Sequence, residues 1–191
     1  ISVIAMDGPE TTIIDGTQSG SVVTFQSGET ADTILDGFTI INGTVTGSHS
    51  FGGGIYCINN SSATIRNCII QDNYAYYYGG GVYVLNSPGF FMEGCTITGN
   101  LAESRGGGLY TADSTVTLTD CVIEGNTANP SGNWGGGGIY AYEADITLSG
   151  CSIDSNTAAY GGGIYSRASL SMSGCRVRGN TASGQGGGLY D

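Results

Sequence analysis

Three observations predict an all-β, right-handed parallel β-helix: a solenoid of about seven coils with three short strands per coil. A Gly-Gly-Gly-(Ile/Val/Leu)-Tyr string returns six times, its apolar residue being Ile55, Val82, Leu109, Ile139, Ile164 and Leu189. A Cys is followed five residues later by an Asn in five consecutive repeats, as Cys68/Asn73, Cys95/Asn100, Cys121/Asn126, Cys151/Asn156 and Cys175/Asn180. Between these marks the hydrophobic period is two, as in Ile146-Thr147-Leu148 and Cys151-Ser152-Ile153, in short runs broken by Gly, Asn, Asp and Ser. That is strand and turn chemistry, with no helix-length amphipathic window. A unit of 25 to 30 residues holds three short strands and buries its apolar side only by stacking on its neighbours. The right hand follows from the general hand of parallel crossovers.

Each element has its own reason. Coils stack about 4.8 Å apart, so equivalent residues form columns along the rod. The inward columns are Ile55/Val82/Leu109/Ile139/Ile164/Leu189, Ala63/Phe90/Val116/Ile146/Leu170, Ile65/Met92/Leu118/Leu148/Met172, the cysteines, and Ile70/Ile97/Ile123/Ile153/Val177. The Asn series is expected to form an internal amide ladder at a corner, each amide bonding to its neighbours and to turn backbone. From Asn to the next triplet the length varies, five residues at 74–78 but eight at 127–134, which marks that segment as a surface loop. Toward the N-terminus, Leu35-Asp36-Gly37-Phe38-Thr39-Ile40 aligns with Ile65-Arg66-Asn67-Cys68-Ile69-Ile70, placing Phe38 in the Cys column. Ile13-Ile14-Asp15-Gly16 reads as the same strand one coil earlier. Residues 1–191 read as one β-helix domain, and neither end carries a capping pattern. The expectation is a fragment or uncapped segment of a longer solenoid or assembly, with end-to-end self-association as one way to cover the ends.

Composition removes several function classes. Five Arg, no Lys and sixteen carboxylates give a net charge of −11, which disfavours nucleic acid as a partner because phosphate binding needs clustered cations. No apolar run approaches the roughly 18 residues of a membrane-spanning helix. Glycine is abundant, with 35 residues. The triplets and the corner residues Gly99, Gly125 and Gly179 account for much of it as positions of close backbone approach.

The chemically capable residues each have two readings. Six Cys admit disulfides by count. Side chains in parallel register point the same way, which suits that bond poorly and favours a ladder of free thiols acting as small hydrophobes. The single His, His49, and the lack of any Cys-x-x-Cys argue against zinc; His49 is expected to be exposed in the Ser/Gly-rich loop 46–50. Gln71, Thr98, Glu124, Asp154 and Arg178 line up outward. Glu124 and Asp154 are either a glycosidase-like carboxylate pair or part of a solvated charge ladder in which Arg178 offsets Asp154; Arg66 and Glu93 stack likewise. The turn column Asn59, Asn86, Asp113, Glu143 and Ala168, with Asp145, offers hard oxygen ligands for Ca2+ or is plain turn polarity. The outward column Thr64, Phe91, Thr117, Thr147, Ser171 is broken by Phe91, so it is no flat ice-binding threonine array.

The most specific surface signal is aromatic. Tyr56, Tyr83, Tyr110, Tyr140, Tyr165 and Tyr190 follow the triplets on the outward phase of the strand. Phe51, Tyr78, Arg105, Trp134, Tyr160 and Gln185 precede them, and Tyr74, Tyr76 and Tyr77 add to one loop. Mutual stacking that stabilises a sheet face and an exposed strip for glycan or protein contact are both open, the strip being Tyr78, Trp134, Tyr160, Tyr83, Tyr110, Tyr140 and Tyr165.

Ile153-Asp154-Ser155-Asn156-Thr157-Ala158 followed by Gly161-Gly162-Gly163-Ile164-Tyr165 resembles the repeat of the chlamydial polymorphic outer membrane proteins, with Ile or Val in place of their Phe and Gly in place of their Ala. The resemblance spans roughly residues 52–190. The chain is also similar to the broad class of secreted bacterial and archaeal right-handed β-helix repeat proteins related in fold to pectate lyases. The resemblance implies an extracellular or cell-surface domain with structural or adhesive roles, whose partners are host or cell-surface proteins or glycans. The alternative is a carbohydrate-active β-helix that binds or cleaves polysaccharide. No lyase-like arrangement surrounds any Arg, and the regularity of the repeat weighs against an enzyme.

Overall fold

A computed structural model describes residues 1–48 and 50–191, so the expectation for His49 lies outside the described residues. Three sheets run along the molecule, and every pairing between named strands is parallel. The Cys-x-(Ile/Val) segments form a seven-stranded sheet, Ile13–Asp15, Thr39–Ile41, Ile69–Gln71, Thr96–Thr98, Val122–Glu124, Ser152–Asp154 and Arg176–Arg178, which sets the number of coils at seven. The largest sheet has twelve strands in two arms. One arm carries the triplet strands, such as Ile55–Cys57 and Val82–Leu85. The other carries Ile34–Asp36, Thr64–Arg66, Phe90–Glu93 and Thr115–Thr119. Turns separate the arms in the early coils. They merge where Ile139–Ser149 and Ile164–Ser173 run straight through, with a register shift between Tyr142 and Asp145.

The third sheet differs from the sequence expectation. Tyr74–Ala75, Leu101–Ala102, Thr127–Ala128, Thr157–Ala158 and Thr181–Ala182 are two-residue strands that pair along the rod together with Thr44–Val45. The segment after Asn is therefore sheet before it becomes loop, and Ala75, Ala102, Ala128 and Ala158 are completely buried. The physical reason is the Gly triplet. A Cβ on Gly80 would lie 2.5 Å from the carbonyl oxygen of Leu101, and one on Gly53 would lie 2.6 Å from that of Tyr74. Backbone packs directly on backbone at this corner, which a Cβ on the glycine would prevent. The length variation begins beyond the alanine.

A second correction concerns the N-terminal segment. Ile13–Asp15 pairs with Thr39–Ile41, whereas Ser2–Ile4 pairs with Ile34–Asp36. The likeness of Ile13-Ile14-Asp15-Gly16 to Ile34-Leu35-Asp36-Gly37 is local. A turn closed by the Thr12 N–H donating to the Gly8 carbonyl carries the chain round a corner, so Ile13 meets the next sheet. Phe38 is buried next to Cys68 in the Cys column; the Ile69 N–H donates to its carbonyl.

The core is one continuous cluster of the inward columns, from Phe25 and Leu35 to Ile153 and Ile164. Fully burying each such aliphatic contributes roughly 1.5–3 kcal/mol. The same columns open at the two terminal coils. Val3 is exposed at one end, Met172 and Leu189 at the other.

Candidate functional site

Two internal ladders and one aromatic face hold every residue singled out by the repeat. In the Asn ladder, the Asn73 N–H and its Nδ2 both donate to Asn100 Oδ1, each at 3.0 Å. Asn100 does the same to Asn126, Asn126 to Asn156, and Asn156 to Asn180, at 2.8–3.0 Å. The second Nδ2 hydrogen reaches back to the carbonyls of Ile40, Ile70, Ile97, Ile123 and Ile153 at 2.8–3.1 Å. From Asn73 to Asn156 the amide uses both donors and its acceptor inside a buried corner. The third glycine of each triplet packs on it: a Cβ on Gly81 would lie 2.9 Å from Asn100 Nδ2. The triplet and the Asn are thus parts of one corner.

The six cysteines are free thiols, and all but Cys175 are buried. Cys68, Cys95 and Cys151 donate to the carbonyls of Leu35, Ile65 and Leu118 in the preceding coil at 3.4–3.7 Å, and Cys121 to Thr119 at 3.3 Å. Contact with the Cys121 and Cys68 sulfurs, together with burial, raises the Cys95 thiol well above its usual range. Cys57, in the triplet strand, is pushed up to about 11 by burial. The same sulfur contacts lower Cys68 and Cys121, so it is enclosure in the core, common to Cys57, Cys68, Cys95, Cys121 and Cys151, that makes these thiols packing groups rather than nucleophiles.

On the outward columns, the Gln71, Thr98, Glu124, Asp154, Arg178 line is in register. Asp154 accepts from Ser152 Oγ at 2.6 Å, and Arg178 and Arg176 lie 3.3 and 3.5 Å from its carboxylate. The serine bond, then the two guanidiniums, hold the carboxyl below its usual value. Asp154 therefore sits in the charge ladder, its carboxylate shared between Ser152, Arg176 and Arg178. Arg66 and Glu93 pair at 3.3 Å.

In the turn column, Asn59, Asn86, Asp113 and Glu143 all have φ between 48° and 59°, and Ala168 does not share it. The left-handed backbone explains the Asn and Asp there. Asp113, Glu143 and Asp145 line a shallow cleft of about 420 Å³. Among the described residues no group of three or more His, Cys, Asp or Glu side chains is placed to hold a metal ion.

The aromatic face is two-layered. Tyr56, Tyr83, Tyr110, Tyr140, Tyr165 and Tyr190 stack with centroids 5.5, 5.2, 5.3, 4.7 and 5.1 Å apart and ring planes within 22° of parallel. A second row lies over them, offset by one coil. Phe51 stacks on Tyr83 at 5.0 Å and Tyr78 on Tyr110 at 4.8 Å. Arg105 takes the next place, its guanidinium 5.3 Å from the Tyr140 ring and 5.2 Å from Tyr78. The expected exposed strip is corrected here: Tyr83, Tyr110 and Tyr140 are only 5, 7 and 4% exposed. Tyr78, Tyr160 and Tyr165 are half-buried. Burial pushes the Tyr110 phenol up to about 12 and raises Tyr83 and Tyr140 as well.

Trp134 is also displaced from its expected column. Gly135, not Trp134, pairs with Tyr160. A Cβ on Gly135 would lie 2.6 Å from the Tyr165 ring, so the extra glycine clears space for that ring. Trp134, one residue earlier, folds over Arg105 with the guanidinium 3.8 Å from its ring centroid. The most exposed aromatic side chains are Tyr76 and Trp134, followed by Tyr142. With Tyr77, Glu103, Ser104 and Asn129, Tyr76 and Trp134 line a cleft of about 280 Å³. Spacing placed Tyr76 and Tyr77 in a loop but gave no sign that they face Trp134, because the loops that carry them are 50 or more residues apart.

A family model described as "Right handed beta helix region" matches residues 10–182. No curated protein and no solved structure matches the chain.

Proposed function

The chain belongs to the right-handed β-helix family, and from that premise we propose that it is a non-enzymatic structural or adhesive element of an extracellular or cell surface. The observation that carries this reading is where the repeat's characteristic side chains go. The Asn amides, the thiols and the inner Tyr row are consumed by coil-to-coil cohesion, and Asp154 is tied up in ion pairs. The likeness of the repeat to surface passenger domains supports the same location.

A sharper form of the proposal is end-to-end assembly into a filament or sheath. Val3 at one end and Met172 and Leu189 at the other extend the inward columns into the open. A coil of a second copy, laid in register, covers them in the same way that each internal coil covers the last. Electron microscopy at rising protein concentration is expected to show fibres one β-helix wide. Monodisperse particles at every concentration would refute assembly. Incubation with polyuronates is expected to release no unsaturated product; release would overturn the non-enzymatic reading.

A further inference from the structure

We propose that the cleft between Tyr76, Tyr77 and Trp134 is a binding site for an alkylammonium cation, a proposal that goes beyond the scaffold reading and does not depend on assembly. Along the Tyr56 to Tyr165 ladder the aromatic rings cover one another. Here Tyr76 and Trp134 remain 47 and 45% exposed and turn toward one cleft of about 280 Å³. Tyr76 and Tyr77 stand nearly perpendicular in an edge contact, with centroids 4.9 Å apart and planes at 76°, and both line the cleft beside Trp134.

Trp134 is fixed in place. Arg105 lies on the Trp134 ring at 3.8 Å, and the loop that carries the indole is braced by hydrogen bonds. At its start the Ser131 N–H donates to Asn129 Oδ1 at 3.0 Å and Ser183 Oγ donates to the Pro130 carbonyl; at its end the Tyr160 N–H donates to the Trp134 carbonyl at 3.3 Å. A site whose walls are already ordered loses little entropy on binding.

Charge selects the ligand. Glu103 lines the cleft and makes no ion pair among the described residues. After burial, its charge is the next influence raising the neighbouring Tyr74 phenol. Arg105, whose guanidinium lies on the Trp134 ring, offsets part of that charge, but the chain as a whole, with no Lys and a net charge of −11, favours a cation over an anion. Ring faces attract cations through their quadrupole, best at Trp, and a site walled by aromatic rings beside a carboxylate is suited to quaternary and methylated ammonium groups. The protein already uses this chemistry internally at Arg105.

Trp134 is the only tryptophan and reports on its own site. Titration with tetramethylammonium and with choline is expected to give a saturable change in fluorescence. Equal concentrations of sodium chloride and of 3,3-dimethylbutan-1-ol, the neutral isostere of choline, are expected to give none. Tyr76→Ala should weaken binding about tenfold and Glu103→Gln about threefold, the unfolding midpoint of each variant certifying its fold. A small cation and a ligand-borne ammonium are separated by comparing a choline-bearing vesicle with a trimethyl-lysine peptide. The proposal is overturned if the isostere binds as tightly as choline, if a neutral oligosaccharide or a proline-rich peptide saturates the signal and the cations do not, or if both variants bind as the parent does. None of these results bears on fibre formation, so the rod reading stands or falls separately.

Discussion

The Asn ladder and the Tyr ladder are both columns of one residue type repeated coil upon coil, yet they tolerate variation differently. The Asn column is uniform from Asn73 to Asn180, and each amide makes directional bonds of about 3 Å in a corner closed by glycine. The row that covers the tyrosines contains Phe51, Tyr78, Arg105, Gly135, Tyr160 and Gln185 in turn. A buried amide with three specific partners has no substitute, because any other side chain orphans groups above and below it. A ring face accepts another ring, a guanidinium or a neighbour's indole, since stacking and cation–π attraction require proximity more than direction. Variation along a rod therefore concentrates where the cohesion is non-directional, and the open aromatic cleft arises there.

The largest test of that contrast is Asn126→Ala. It leaves the Asn100 N–H and Nδ2, the Ile97 carbonyl and Asn156 Oδ1 short of a partner. At about 1–3 kcal/mol for each orphaned group, partly relieved by relaxation, urea unfolding is expected to register a loss of about 4 kcal/mol. Asn126→Asp should not rescue it, since it loses the donor.

Tyr110→Ala comes next, at about 3 kcal/mol from lost burial and stacking. Tyr110→Phe should cost less than about 1 kcal/mol if stacking rather than the hydroxyl matters. A large loss in the Phe variant would make the ladder as directional as the amides and erase the contrast. The same ladder predicts alkaline instability. The folded phenols titrate above the unfolded value of about 10, so the folded state holds protons that the unfolded chain releases. Stability is complete below about pH 10 and falls as pH rises toward about 12, the value to which Tyr110 is pushed. Unfolding curves followed by tyrosinate absorbance check the window.

Arg105→Met keeps the stem's packing and removes the charge among Tyr78, Trp134 and Tyr140. About 1 kcal/mol is expected from the lost cation–π contacts, with a shift in Trp134 emission as the indole loosens. The smallest effect is Arg178→Ala. Arg178 is 66% exposed, so its pair with Asp154 contributes at most about 1 kcal/mol and fades with salt. Because Asp154 is held below its usual range, that contribution is present above about pH 4 and is lost as pH falls through the depressed value.

Much of this was legible in the chain. Fixed offsets between Cys, Ile and Asn can arise only from stacked equivalents, so fold, register and inward columns followed. The Asn-x-Ala recurrence also marked the third sheet, but a two-residue strand is too short to show a period, and the neighbouring insertions made it read as loop. Ile13-Ile14-Asp15-Gly16 misled because four similar residues carry no information about which corner precedes them. The covered state of Tyr83, Tyr110 and Tyr140 was not legible from strand phase, since alternation separates inside from outside of the coil and says nothing of what lies on the outside.

By itself, the sequence determined the solenoid, its seven coils and the identity of each column. A period repeated along the chain becomes a spatial period once strands stack at a fixed spacing. Only the tertiary structure decided which outward rings are covered, where Gly135 displaces Trp134, and that Tyr76, Tyr77 and Trp134 meet around Glu103. Those contacts join loops of different length from different coils, and the path of an irregular loop is set by what it packs on rather than by any repeat in its residues.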